Sequence, residues 1–235
     1  MIPTTTGSVA HRRHHESVLA AVEKRALVWI ARRLPYWVTS DQLSGLGLWS
    51  MAAAGAAFAA LQLTPWAAFA VVAALAANWF GDSLDGTLAR VRDQQRPRFG
   101  FYVDHVIDIA GTALLLAGIA CSGRMHPEIA LATLAAYLMV SAESYLATHA
   151  LGVFRMSFFG FGPTELRILL AAGALAVMHH ARIDSGPFAG ARLFDVGGVI
   201  AIAGLLGVFV FNGIRHTRLL YRAEPLPDSD ARRAA

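Results

Sequence analysis

Four aspartates, Asp82, Asp85, Asp104 and Asp108, fall in the stretch GDSLDGTLARVRDQQRPRFGFYVDHVIDIAG, inside or beside long apolar runs. Ionisable groups in such runs are expensive to hold in hydrocarbon and therefore point to function. At 100° per residue, Asp82, Asp85, Gly86 and Ala89 occupy about 100° of one helix face. Gly100, Asp104 and Asp108 form an i, i+4, i+8 stripe on the next helix. The short connection between the two helices predicts antiparallel neighbours, with the two acidic faces opposed near one mouth of the membrane. Four carboxylates gathered in a partly dry site cannot all stay ionised without cations. Oxygen-only ligation suits Mg²⁺, Mn²⁺ or Ca²⁺ rather than zinc. Gly86 and Ala89 clear space for a ligand on the acidic face, and Arg90 suits a phosphate. The combination points to phosphoryl or phosphatidyl transfer, with two metal ions polarising a bridging phosphate and stabilising the leaving oxygen. The competing structural account is a salt-bridged helix pair, Asp82 with Arg90 or Asp85 with Arg92, that does no chemistry.

The elements that must carry these residues are membrane spans. Only 15% of the chain is charged and 56% is hydrophobic, with a mean hydropathy of +0.49. A soluble domain carries about 25% charged residues. A span needs about 20 mostly apolar residues. Six runs qualify, at 43–62, 66–90, 99–121, 127–151, 165–181 and 196–216, the fifth being the shortest. Segment 16–35 interleaves Val18, Leu19, Val22, Leu27, Ile30 and Leu34 with Lys24, Arg25, Arg32 and Arg33, the pattern of a basic amphipathic helix on a membrane surface. The expected fold is all-α and integral to the membrane, with six transmembrane helices and this N-terminal surface helix. One membrane domain spans 16–222, between a flexible tail at 1–15 and a disordered tail at 223–235. With both termini on one side, that side receives seventeen of the 20 Lys and Arg, which places the termini and the acidic site in the cytoplasm. The first residues lack the apolar core of a secretory signal. The excess of positive charge lies between spans and implies no nucleic-acid partner. The single cysteine, Cys121, excludes an internal disulfide and reads as a small apolar residue.

The acidic stretch resembles the motif of the CDP-alcohol phosphotransferases, D-x2-D-G-x2-A-R-x(7–9)-G-x3-D-x3-D. Asp82, Asp85, Gly86, Ala89, Arg90, Gly100, Asp104 and Asp108 match every fixed position, with nine residues between Arg90 and Gly100. The resemblance implies that Asp82, Asp85 and Asp104 are the main ligands of Mg²⁺ or Mn²⁺, two ions in all. It implies that Asp108 completes the metal site and deprotonates the acceptor hydroxyl. Gly86, Ala89 and Arg90 would accommodate the cytidine nucleotide, and CMP would leave as the acceptor oxygen attacks the donor's β-phosphate. The implied partners are a CDP-linked donor lipid, an alcohol and the lipids of the plasma membrane, and the implied assembly is a homodimer.

Asp41, in the segment VTSDQLSGLG, is similar to a position of the family's P-N-x-x-T segment near the nucleotide. Ser40 and Asp41 replace Pro and Asn, and Ser44 replaces Thr. Asp41 also suits a helix N-cap. Arg155 and Arg167 are the expected clamp for an anionic acceptor, against the alternative that both anchor helix ends. His149 reads as an interface histidine, and the His11–His15 tract as a solvated tail. CDP-diacylglycerol is the expected donor. A soluble CDP-headgroup with a lipid alcohol as acceptor is the alternative in the same family. A cation transporter with intramembrane aspartates and a metal-dependent phosphohydrolase are the alternatives of other classes.

Overall fold

A computed structural model describes residues 18–152, 162–178, 182–183 and 186–224. Seven helices account for the regular structure of the described residues: α1 (Val18–Ala31), α2 (Ser40–Ala60), α3 (Ala67–Val91), α4 (Pro97–Cys121), α5 (Pro127–Leu151), α6 (Pro163–Ala176) and α7 (Leu193–Ala223). Helices α2, α3, α4, α5 and α7 are each long and apolar enough to cross a membrane, and the chain is an all-helical membrane protein. The fifth expected run differs. Helix α6 has 14 residues, about 21 Å of helix against the ~30 Å of a bilayer core. Polar anchors hold its first turn: Thr164 donates to Glu23, and Arg167 engages α3.

Helix starts follow local chemistry. Thr39 caps α2: its Oγ accepts from the Gln42 amide at 3.2 Å, while Gln42 Oε1 accepts from the Thr39 amide at 2.9 Å. This capping box places the N-cap one position before Ser40, so Asp41 is a first-turn residue and not the cap. Pro97, Pro127 and Pro163 each open a helix, where the missing N–H costs nothing. The left-handed φ of +67° at Gly152 ends α5.

Helix α2 is the hub. It packs along both α3 and α4, whereas α3 and α4 make little direct contact. The expectation of α3 and α4 as directly packed neighbours is therefore corrected: both lean on α2. Small residues explain why. A Cβ at Gly81 would lie 2.6 Å from the Leu43 carbonyl oxygen and 2.8 Å from the Gly47 nitrogen, and one at Gly118 would collide with the Gly55 backbone. Backbones that approach this closely need glycine at the crossing. The core beyond these crossings is built on Phe58, Leu61, Val71, Leu75, Leu115 and Ile119, with Phe194 of α7 edge-on to Phe58 at 5.5 Å. A second cluster, Leu27, Ala31, Leu43, Leu84 and Leu88, seats α1 against α3 near the acidic residues. Helices α5 and α7 pack together, and His216 Nδ1 lies 2.6 Å from Glu143 Oε1 between them.

Gly81→Ala must push α2 from α3 at a backbone contact. The expected cost is about 1–3 kcal/mol, read as a lower thermal midpoint in detergent. Gly204→Ala, whose Cβ meets nothing within 4 Å, should leave the midpoint unchanged or raise it.

Candidate active site

The last turns of α3 and the first turns of α4 carry the four aspartates. Asp85 is 7% exposed. Its Oδ2 accepts from Ser44 Oγ at 2.7 Å and its Oδ1 from the Gly86 amide at 2.5 Å. Its carbonyl oxygen accepts from Ser40 Oγ at 2.8 Å. The α2 start thus holds Asp85 at both backbone and side chain. Asp82 Oδ2 lies 2.5 Å from Arg167 Nη2, across the α3–α6 contact. Arg167 Nε donates to Asn78 Oδ1 at 2.7 Å, and Asn78 Nδ2 donates to the Gly47 carbonyl at 2.9 Å. Asp85 is within electrostatic reach of Asp104 and Asp82, and Asp108 of Asp82, Asp104 and Asp85. The structure brings all four carboxylates into one neighbourhood.

Arg90 folds back along its own helix, with Nη2 3.0 Å from Thr87 Oγ. A Cβ at Gly86 would stand 3.3 Å from Arg90 Nη1, so the glycine gives room to the guanidinium. At Gly100 a Cβ would meet nothing within 4 Å among the described residues. Arg92 serves elsewhere. It donates to the carbonyls of Leu34 at 3.1 Å, Pro35 at 2.9 Å and Val38 at 2.5 Å, and so clamps the α1–α2 connection. Arg92 is thus committed to the α1–α2 connection and not to Asp85.

Asp41 is exposed and pairs with Arg96 of the α3–α4 connection. With Thr39, Ser40, Gln94 and Gln95 the pair lines an open cleft of about 440 Å³. Arg155 lies outside the described residues. Arg167 does reach the aspartates, but through Asp82. His149 is exposed on the last turn of α5. Sequence reasoning passed over Tyr137 and Ser141 on the polar face of α5. Tyr137 and Tyr145 come within electrostatic reach of Asp108, and both adjoin Ser141. The Tyr145 hydroxyl is buried and, although Ser141 adjoins it, makes no well-formed hydrogen bond among the described residues. The spacing of Tyr137, Ser141 and Tyr145 is one helical stripe, a signal that was present but lay in an apolar run read as a plain span.

The donor set is oxygen-only and anionic, which fits a hard divalent cation. Among the described residues no three His, Cys, Asp or Glu side chains converge on one point. Asp82 Oδ2 turns to Arg167, while Asp85 Oδ2 accepts from Ser44 and Oδ1 from the Gly86 amide, so these oxygens already have partners that a cation would compete with or share.

A family model described as CDP-alcohol phosphatidyltransferase matches residues 37–210. The chain belongs to that family. It is a transferase family for phosphate-containing groups, generally metal-dependent, that moves phospholipid headgroups from CDP-alcohols. No individual curated protein matches the chain. The matched span takes in α2 to α6 and most of α7, and with them every aspartate of the site.

Two substitutions test the scaffold of the site. Ser44→Ala leaves the buried Asp85 carboxylate short of one donor, an expected loss of about 1–3 kcal/mol, read as a lower thermal midpoint. Arg92→Gln frees the carbonyls of 34–38. Limited proteolysis should then cut between α1 and α2 faster than in the parent chain, while cleavage elsewhere keeps its rate.

Proposed function

We propose that this family member transfers a phosphatidyl group from CDP-diacylglycerol to the hydroxyl of a polar alcohol, releasing CMP. The observation that carries the reading is the gathering of the four motif carboxylates from α3 and α4 beside Arg90 and Arg167. Both helices rest on α2 instead of on each other.

In this reading Asp82, Asp85 and Asp104 are the main holders of two Mg²⁺ or Mn²⁺ ions, with Asp108 completing the set. Bound there, the ions neutralise the carboxylates and draw charge from the donor's pyrophosphate. Asp108 takes the proton from the acceptor hydroxyl. The acceptor oxygen then forms a bond to the β-phosphorus while the bond to the bridging oxygen breaks, and CMP carries away the electron pair. Arg90, held at Thr87 over Gly86, is suited to a phosphate oxygen, and Ala89 keeps the same face low for the nucleotide. The Asp41–Arg96 cleft adjoins Ser40 and receives the distal part of the nucleotide. Arg155 and Arg167 stand on the acceptor side, where their charge suits an anionic alcohol such as a sugar phosphate.

The apolar run at 165–181, which α6 opens, supplies a sixth crossing in this reading. Helix α1 lies on the cytoplasmic surface of the plasma membrane. Lys24, Arg25, Arg32 and Arg33 are exposed beside Trp29, Tyr36 and Trp37, a combination suited to an anionic lipid interface. The lysine and arginine asymmetry puts both termini and the site on that side. A homodimer is the assembly that family likeness suggests.

Purified protein incubated with Mn²⁺, CDP-diacylglycerol and a panel of alcohols should release CMP only with its cognate alcohol, together with a new lipid. CMP release with water alone would make the chain a hydrolase. Release only from a soluble CDP-headgroup and a lipid alcohol would reverse the donor assignment, and no release from either donor would leave room for a transporter. Asp108→Asn should retain donor binding and lose at least about 10²-fold in turnover; full turnover would remove the base assignment.

A further inference from the structure

Arg167 does something the acceptor role does not require. Its Nε donates to Asn78 at 2.7 Å, and its Nη2 lies 2.5 Å from Asp82 Oδ2. Asn78 is itself 5% exposed and fixed by the Gly47 carbonyl at 2.9 Å. The guanidinium is therefore aimed by a buried amide that is anchored on the hub helix α2. Its target is one oxygen of a carboxylate that also feels Asp85 and Asp108. The Arg167 side chain is only 15% exposed. A cation buried among several carboxylates neutralises them in the way a metal ion would.

We propose that Arg167 is the resident counter-ion of Asp82, which lets go of the carboxylate when a divalent cation binds and is then free to take a phosphate oxygen of the substrate. The inference rests on Asp82 being a metal ligand. One oxygen cannot accept a charge-assisted bond from the guanidinium at 2.5 Å and ligate a metal ion without that bond weakening. Where Oδ2 becomes a ligand, loading and Asp82–Arg167 pairing thus oppose one another at that atom. After the exchange, Nε remains tethered to Asn78, so the positive charge stays in the site instead of swinging to solvent. Bound cation and anionic substrate then favour one another: the first releases the guanidinium, and the second gives it a new partner. The movement also reaches the surface helix. Arg167 lies one turn beyond Thr164, whose hydroxyl donates to Glu23 of α1 at 3.3 Å, and the same Glu23 oxygen accepts from Trp79 Nε1 at 2.7 Å.

The test measures Mn²⁺ binding by electron paramagnetic resonance on the full chain in nanodiscs, for the parent protein, Arg167→Gln, Arg167→Lys and Asp82→Asn. Removing a competitor for one ligand atom should tighten Mn²⁺ binding in Arg167→Gln about tenfold, the equivalent of one charge-assisted contact. Arg167→Lys, which keeps the charge but loses the Nε anchor, should fall between it and the parent. CMP binding, followed by calorimetry, should strengthen with Mn²⁺ in the parent and lose that dependence in Arg167→Gln. Hydrogen exchange supplies a measurement on the parent chain alone: Mn²⁺ should speed exchange in the first turns of α6, and should not do so in Asp82→Asn. Equal or weaker Mn²⁺ binding in Arg167→Gln, with binding still lost in Asp82→Asn, overturns the counter-ion role and leaves the metal-ligand reading intact. An α6 whose exchange ignores Mn²⁺ in a parent protein that binds it has the same meaning. A parent protein that binds no divalent cation overturns both.

Discussion

The close approach of the α2 backbone to α3 and α4 governs the rest of the structure. At Gly81 and Gly118 no side-chain atom separates the helices, so α2 acts as a rigid spine against which the two acid-bearing helices are set. Lipid offers no hydrophobic drive for helix pairing, and tight backbone contact is the interaction that remains strong there. Because α3 and α4 both use their small faces on α2, their acidic faces meet α6 and α5 as well as the start of α2.

Charge imposes the second constraint. Four carboxylates between helices in a membrane protein repel one another strongly, since the low dielectric screens them poorly. The chain answers with donors from outside the α3–α4 pair: Ser40 and Ser44 from α2, and Arg167 from α6. Each compensating group sits on an element that must be correctly docked before it can reach its aspartate. The polar contacts therefore report on the packing, and the packing is aimed by the polar contacts. Arg92 extends the same logic outward, tying the carbonyls ahead of α2 to the end of α3 so that the cap at Thr39 and the serines behind it keep their place.

Much of this was legible in the residues. Apolar runs located α2, α3, α4, α5 and α7 to within a few positions, because a span is a matter of length and composition. The acidic motif named the chemistry because its fixed positions recur at helical spacing. Helix α6 was less legible: an apolar count cannot see that Thr164 and Arg167 bind its first turn to α1 and α3. The end of α7 was missed for a similar reason. Arg215, His216, Arg218 and Arg222 look like a tail, yet Glu143 on α5 holds His216 and the helix continues to Ala223. Asp41 looked like a cap because it is short and acidic, but Thr39 with Gln42 offers two reciprocal bonds where Asp41 offers one. Long-range partners such as Asn78 for Arg167 leave no local pattern to read.

These failures have a common direction that bears on substrate choice. The α2–α4 half of the candidate site is written locally, in one motif and one capped helix start, and in the proposed reaction it carries the bond-breaking chemistry. The other half is assembled from α5 and α6, through Tyr137, Ser141, Tyr145 and Arg167, by contacts spanning tens of residues. The Tyr145 hydroxyl is buried beside Ser141 within electrostatic reach of Asp108, a place where a hydroxyl-bearing acceptor would find a partner. Selection between alcohols needs just such groups, because a site built to hydrogen-bond a substrate hydroxyl rejects molecules that leave its own polar atoms unpaired. In the proposed reaction, bond-breaking chemistry and alcohol choice are thus separated along the chain: the first rests on spacing within α3 and α4, and the second on how α5 and α6 are carried to them.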